Sequence, residues 1–222
     1  MPQKNSAKTE TNLTTDGRVL VKAATIYDLV QPFVTLGQEK RLNRWLATYL
    51  KATPASRILD VGCGTGLLTA AIARDYPEAK VVGIDASKSM IRVADKKRKS
   101  HNCTYQTALA EKLPFAPETF EIVTSALFFH HVHLQLKEIC LKEIYRILKP
   151  GGRIVIADMD TPYTKLGWAL SIGAWLILRQ PEIKENIDGK LDDLITKCGF
   201  SELEKPARFS GYISIWTAVK GT

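Results

Sequence analysis

Ile58-Leu59-Asp60-Val61-Gly62-Cys63-Gly64-Thr65-Gly66 passes from a short apolar run into three glycines at alternate positions. The apolar run predicts a buried strand, Arg57–Val61. The glycines predict a sharp turn whose backbone can approach a ligand without interference from Cβ atoms. The dinucleotide fingerprint G-x-G-x-x-G needs its third glycine where the helix packs onto the strand. Here that slot holds Leu67, and the third glycine, Gly66, comes one residue early. Asp60 sets a carboxylate just before the turn, which repels a pyrophosphate and suits an ammonium. The spacing therefore favours an adenosyl ligand without phosphates.

Outward from this turn, strands and helices alternate. Upstream, Gln38 to Lys51 reads as a helix, with Leu42, Trp45, Leu46, Tyr49 and Leu50 at helical spacing. Downstream come a helix over Leu67–Arg74, a strand over Lys80–Asp85 and a Ser87-capped helix running to Lys99. Thr104–Leu109 and Phe120–Ala126 read as third and fourth strands, followed by an amphipathic helix, Gln135–Leu148. Lys149-Pro150-Gly151-Gly152 has the chemistry of a type II turn, and a fifth strand, Arg153–Met159, follows it. Such alternation predicts an α/β fold with a parallel sheet covered on both faces. After a helix at Leu191–Cys198, the strands Glu202–Arg208 and Tyr212–Val219 form a hairpin that ends the sheet with an antiparallel strand. A nucleotide-type ligand is then expected outside the carboxyl ends of the parallel strands. Asp85, at the end of the second strand, can accept hydrogen bonds from both hydroxyls of a ribose.

The size of the chain, 222 residues of which 45% are hydrophobic, suits one sizeable core. Residues 1–24 read as a polar lead-in, disordered or lid-forming, ahead of a single domain over 25–222 with an acceptor-site insertion at 160–182. The N-terminal stretch has no apolar segment of the signal-peptide kind, and no apolar run reaches the roughly 18 residues of a membrane span. Cys63, Cys103, Cys140 and Cys198 are scattered without metal-type spacing, so a reduced, cytoplasmic setting and no metal are expected. A net charge of +8 favours anionic partners. Part of it sits in Arg92, Lys96, Lys97, Arg98 and Lys99, where a solvated, dipole-matched helix end explains it.

Asp60–Gly66, Gly83-Ile84-Asp85, Ala110-Glu111-Lys112-Leu113-Pro114-Phe115 and Leu148-Lys149-Pro150-Gly151-Gly152 together resemble the class I S-adenosylmethionine-dependent methyltransferases. The resemblance is strongest to the branch of ubiquinone and menaquinone biosynthesis, and it runs from about Tyr27 to the C-terminus. It implies a Rossmann-like doubly wound sheet and S-adenosylmethionine as cofactor. It further implies cofactor contacts from Asp60, Gly62, Gly64, Thr65 and Gly66, ribose contact from Asp85, and adenine packing from Ala86 and Met90. Ala110 would meet the adenine edge through its backbone. Ala126 would lie beside the transferable methyl, and Tyr27-Asp28 resembles a pair that helps close the site. Leu109 stands where the family usually has a polar residue, so a side-chain hydrogen bond to the adenine amine is lost.

A phenol or enolisable carbon acceptor benefits from a base. His130, His131 and His133 follow the fourth strand directly, and His131 is the first candidate, with Tyr163 a further one. The stretch Leu166–Leu178 is apolar on all sides. It reads either as a helix buried over the active site or as a lid for a lipid-like acceptor that contacts a membrane surface at 166–178, with Trp168 and Trp175 one heptad apart. Methyl transfer to a small or lipid-like acceptor leaves a prenylated quinol, a phospholipid amine and a soluble metabolite open, with the resemblance leaning to the quinol, and three other readings stand beside it. A nicotinamide oxidoreductase lacks its third glycine. A nucleic-acid methyltransferase lacks the Asn-Pro-Pro-aromatic motif, since the fourth strand ends Thr124-Ser125-Ala126-Leu127. A non-catalytic cofactor-binding relative is motivated by Leu109. The oligomeric state is not legible in the sequence.

Overall fold

The structure, a computed structural model, describes residues 39–178 and 181–221. The expectations for residues 1–24 and for Tyr27 and Asp28 lie outside these. In chain order the elements are α1 (Glu39–Leu50), β1 (Arg57–Val61), α2 (Leu67–Asp75), β2 (Lys80–Asp85), α3 (Lys88–Arg98) and β3 (Cys103–Thr107). Then come β4 (Phe120–Ala126), a short 3-10 turn (Phe129–His131), α4 (Leu134–Ile147), β5 (Leu148–Met159), α5 (Lys165–Leu178), α6 (Pro181–Ile187), α7 (Lys190–Lys197), β6 (Phe200–Phe209) and β7 (Ile213–Lys220).

The seven strands form one sheet in the order β3-β2-β1-β4-β5-β7-β6. β1 to β5 pair in parallel, and β7 runs antiparallel to both β5 and β6. The doubly wound, mostly parallel architecture is the one the sequence predicts. The hairpin at the end inserts β7 between β5 and β6, so the last strand is internal and β6 forms the edge. Both faces are covered because the parallel strands are apolar throughout: β1 is buried at every position after Arg57. On one face Leu59, Val61 and Ile84 pack with Leu136, Ile144 and Leu194 of α4 and α7. On the other, Ile58 and Val155 pack with Leu46 and Ile72 of α1 and α2.

Four local expectations are corrected. The third strand begins at Cys103 and leaves the sheet at Thr107, after which Leu109 bridges Lys112 in a loop. The fifth strand begins at Leu148, because the Pro-Gly-Gly turn is absorbed into it as a bulge. Phe120 pairs with Leu148 and Ile122 with Arg153, while Gly151 takes a φ of 72°. A helix the sequence reading missed, α6, supplies buried Ile183 and Asn186. Finally, α5 is not buried: Leu166 is 63%, Trp168 59% and Leu176 60% exposed. Its buried side instead carries the polar Ser171, and Gly167 sits so tightly on the β6–β7 turn that a Cβ there would lie 2.1 Å from the Gly211 carbonyl oxygen.

Candidate active site

The order of strands reverses between β1 and β4, and the glycine turn stands at that switch point. Gly62, Gly64 and Gly66 all adopt positive φ, at 72°, 53° and 84°. The need for glycine is steric as well as torsional at Gly62, where a Cβ would meet Phe128 Cδ2 at 2.6 Å. The turn is stitched to β2 by the Cys63 N–H donating to the Ile84 carbonyl at 2.9 Å, and α2 starts directly after Gly66 without a side-chain cap. The first backbone N–H groups of α2 are thereby left to face a ligand.

Two carboxylates flank the turn in different roles. Asp85 accepts from the Gly64 N–H at 3.0 Å through Oδ2 and from the Ser87 N–H at 2.8 Å through Oδ1. These bonds hold the carboxylate at the tip of β2 and leave each oxygen a second lone pair for a diol. Burial raises its pKa against the pull of those two N–H groups. Asp60, buried at the end of β1, accepts from the Thr69 hydroxyl at 2.6 Å. Desolvation, with the nearby Asp85 charge, pushes it up to about 7.

A cleft lined by Asp60, Gly62, Gly64, Thr65, Ala126 and Asn43 opens beside the turn. The structure thus brings five of the sequence-predicted residues to one place. Next to them, the Ala108 N–H donates to the Asp85 carbonyl at 3.1 Å, which draws half-buried Leu109 and buried Ala110 alongside β2. Met90 is buried in the first turn of α3, its N–H capped by Ser87, and Ala86 is half-buried beside it. Among the described residues no cation lines the cleft, and the Asp60 carboxylate in its wall, with Asp85 held by the Gly64 N–H nearby, opposes a pyrophosphate. The residues present fit an adenosyl group with a cationic tail: a diol acceptor at Asp85, a carboxylate at Asp60, and helix N–H groups for the tail's carboxylate.

Several contributors escaped the sequence reading. Asn43 reaches the cleft from α1. Arg98, expected on a solvated helix end, donates to the Thr65 carbonyl at 2.8 Å and ties α3 to the turn, whereas Lys99 pairs with Asp95 as a surface contact. Asp158 of β5 accepts from His130 Nδ1 at 2.7 Å, and no spacing connects those two residues along the chain. The three histidines do different things. His133 caps α4, accepting the Leu136 N–H at 3.4 Å, and the His131 ring lies 3.9 Å from that of His130. Among the described residues no group of three or more His, Cys, Asp or Glu side chains could hold a metal ion. All four cysteines are free and buried.

Comparison with known proteins agrees with this geometry. Residues 58–152 match a family described as a methyltransferase domain. A ubiquinone/menaquinone biosynthesis C-methyltransferase of Desulfotalea psychrophila is 38% identical over 136 residues, covering 61% of this chain and 54% of that protein. A demethylmenaquinone methyltransferase of Symbiobacterium thermophilum is 28% identical over 90% of both chains. The chain thus spans about half the length of the first of these relatives. Among solved structures, a phosphoethanolamine N-methyltransferase 2 of Haemonchus contortus, in complex with S-adenosylhomocysteine, superposes with a TM-score of 0.69 at 20% identity. That match covers 90% of this chain and 57% of the other. On its glycine turn, its carboxylate-tipped second strand and these matches, residues 58–152 carry a methyltransferase domain, and the chain is similar to S-adenosylmethionine-dependent methyltransferases.

Proposed function

We propose that this chain transfers the methyl group of S-adenosylmethionine to a small, lipid-like acceptor, a quinol in the first instance. The carrying observation is a juxtaposition. The polar cleft of Asp60, Gly62 and Gly64 lies at the carboxyl edge of the sheet, and the next element beyond β5 is a helix that packs Leu170 and Trp175 on the core and exposes Leu166, Trp168 and Leu176. The names of the two sequence relatives, both of quinone biosynthesis, support a quinol as acceptor. The cofactor supplies an electrophilic methyl on a sulfonium, and the protein's share is alignment. Holding acceptor and methyl in line is worth about 7–11 kcal/mol of such a barrier. Asp85 and the glycine turn would hold the nucleoside and amino-acid ends, Ala86, Met90, Leu109 and Ala110 the adenine, and Ala126 would flank the methyl.

α5 would serve the acceptor. A helix with Leu166, Trp168 and Leu176 outside and Ser171 inside presents the surface of an interfacial helix, and Lys165 at its start suits an anionic headgroup. Among the described residues no helix is long and apolar enough to cross a membrane, so this contact would be peripheral. The test is transfer of a tritiated methyl group to demethylated quinol in mixed micelles and, separately, to fractionated cell extract. Label in an apolar, quinol-type product supports the reading. Label only in water-soluble metabolites overturns the lipid part, and no label in any fraction overturns methyl transfer itself.

A further inference from the structure

His130 and Asp158 form a pair that the cofactor site does not use. The chain leaves β4 at Ala126, the Leu127 N–H donates to the Ala157 carbonyl at 2.8 Å, and the Phe128 ring comes to rest on Gly62. Two residues later His130 enters, just past the carboxyl end of β4, the strand that neighbours β1 and its glycine turn. Asp158 is fully buried and receives donors only: the Phe129 N–H at 2.6 Å on Oδ2, and the Met159 N–H at 2.7 Å and His130 Nδ1 at 2.7 Å on Oδ1, with Asn186 Nδ2 more distant at 3.5 Å. Burial works to raise the pKa of this carboxyl, yet the neighbouring His130 and the N–H donors outweigh it and hold it below the usual range. An ionised acceptor at Nδ1 fixes the hydrogen there and leaves Nε2 as a bare lone pair. Among the described residues Nε2 has no hydrogen-bond partner, although the side chain is only 8% exposed.

We infer that His130, oriented by Asp158, is the base that accepts the proton of the methyl acceptor. The inference rests on the methyl-transfer reading above and narrows it to acceptors that lose an O–H or C–H proton. The acceptor's electron pair forms the new bond to the methyl carbon, the pair of the broken S–C bond stays on sulfur, and the acceptor's proton passes to Nε2 and then to water. Asp158 stabilises the imidazolium and is a positioning residue. The other charged or titratable groups around the pair are the His131 ring, tilted at 44° against that of His130, Lys137 of α4, and Glu182 and Glu185 of α6. Lys137 pairs with Glu185 at 2.8 Å, and Asp158 is the carboxylate that bonds His130 directly.

Two measurements test this. In two-bond 15N–1H correlation spectra at pH 8, with and without S-adenosylhomocysteine, His130 should show the tautomer protonated at Nδ1. A proton on Nε2 instead would overturn the assignment without reference to turnover. In the second, His130→Asn keeps an amide donor for Asp158 but offers no base. It should bind S-adenosylhomocysteine within twofold of wild type, melt cooperatively, and lose kcat on the order of a hundred- to ten-thousand-fold. Added imidazole should restore part of the activity of His130→Ala. A His130→Asn enzyme within threefold of wild-type kcat would refute the role of His130 while leaving methyl transfer standing. Should the wild type itself transfer no methyl group, the methyl-transfer reading fails and the base assignment fails with it.

Discussion

The two ends of the sheet's carboxyl edge are built on opposite terms. At β1 and β2 the parts proposed to face the ligand are mostly backbone, glycines at positive φ and the open start of α2, joined by two side-chain carboxylates fixed by hydrogen bonds of 2.6–3.0 Å. At β5 and beyond they are side chains, with a buried His–Asp pair below and an outward apolar helix above. The contrast teaches that a fixed cofactor is gripped by chain geometry, which tolerates little change. A lipid-like acceptor, as proposed, would be received by a surface, whose energy is spread over area and yields gradually to substitution.

The sharpest way to break that comparison is Gly62→Ala. The substitution forces a Cβ into the Phe128 ring and an alanine into left-handed backbone, at a combined cost of about 2–4 kcal/mol. Calorimetry should record a loss of S-adenosylhomocysteine affinity on the order of a hundredfold; a loss under threefold would mean the turn is not the cofactor grip. Asp85→Ala comes next. Removing hydrogen bonds to a charged group costs about 1.5–3 kcal/mol, so affinity should fall roughly ten- to a hundredfold. Unchanged affinity would remove the ribose assignment.

On the other side, Leu166→Glu and Leu176→Glu should each weaken co-sedimentation with anionic vesicles about tenfold, since burying a leucine is worth about 1.5–3 kcal/mol. Melting temperature and cofactor affinity should stay put, because these side chains are exposed. Wild-type protein that ignores vesicles would sink the surface reading of α5. The smallest effect concerns Asp60. Its pKa in the folded chain, about 7, lies above its ordinary 3.8, so the folded state holds the proton longer than the unfolded state. The stabilisation is complete below pH 3.8, declines as pH rises towards 7 and is spent above it. Asp60→Asn should therefore lose fewer degrees of melting temperature than wild type between pH 5 and pH 8. Equal losses would show that Asp60 is not the group responsible.

Much of the cofactor edge was legible because its signals are local. A strand followed by alternate glycines, a carboxylate ending the next strand, and Ser87 capping the helix after it are each contained within a few residues. The bounds of β1, β2 and β4 matched the sequence reading for the same reason: buried parallel strands are short apolar runs with glycine or polar ends. Arg98 reaching the Thr65 carbonyl, Asn43 entering the cleft and Asp158 orienting His130 were not legible. Each joins residues far apart in the chain, and nothing in either residue's neighbourhood names the other. Which of the neighbouring histidines meets a carboxylate is not legible in the sequence.

By itself, then, the sequence determined the α/β class, the succession of the first five strands along the chain, the glycine turn after the first of them and the carboxylate that disfavours a pyrophosphate. These follow from periodicity, glycine and charge, which act over one or two turns of chain. Tertiary structure alone decided which histidine meets a carboxylate and which side of α5 faces out. An all-apolar helix carries no periodicity to say where water will be. The contact of Gly167 with Gly211 at the β6–β7 turn and the packing of Leu170 and Trp175 on the core set Ser171 inward and Leu166, Trp168 and Leu176 outside.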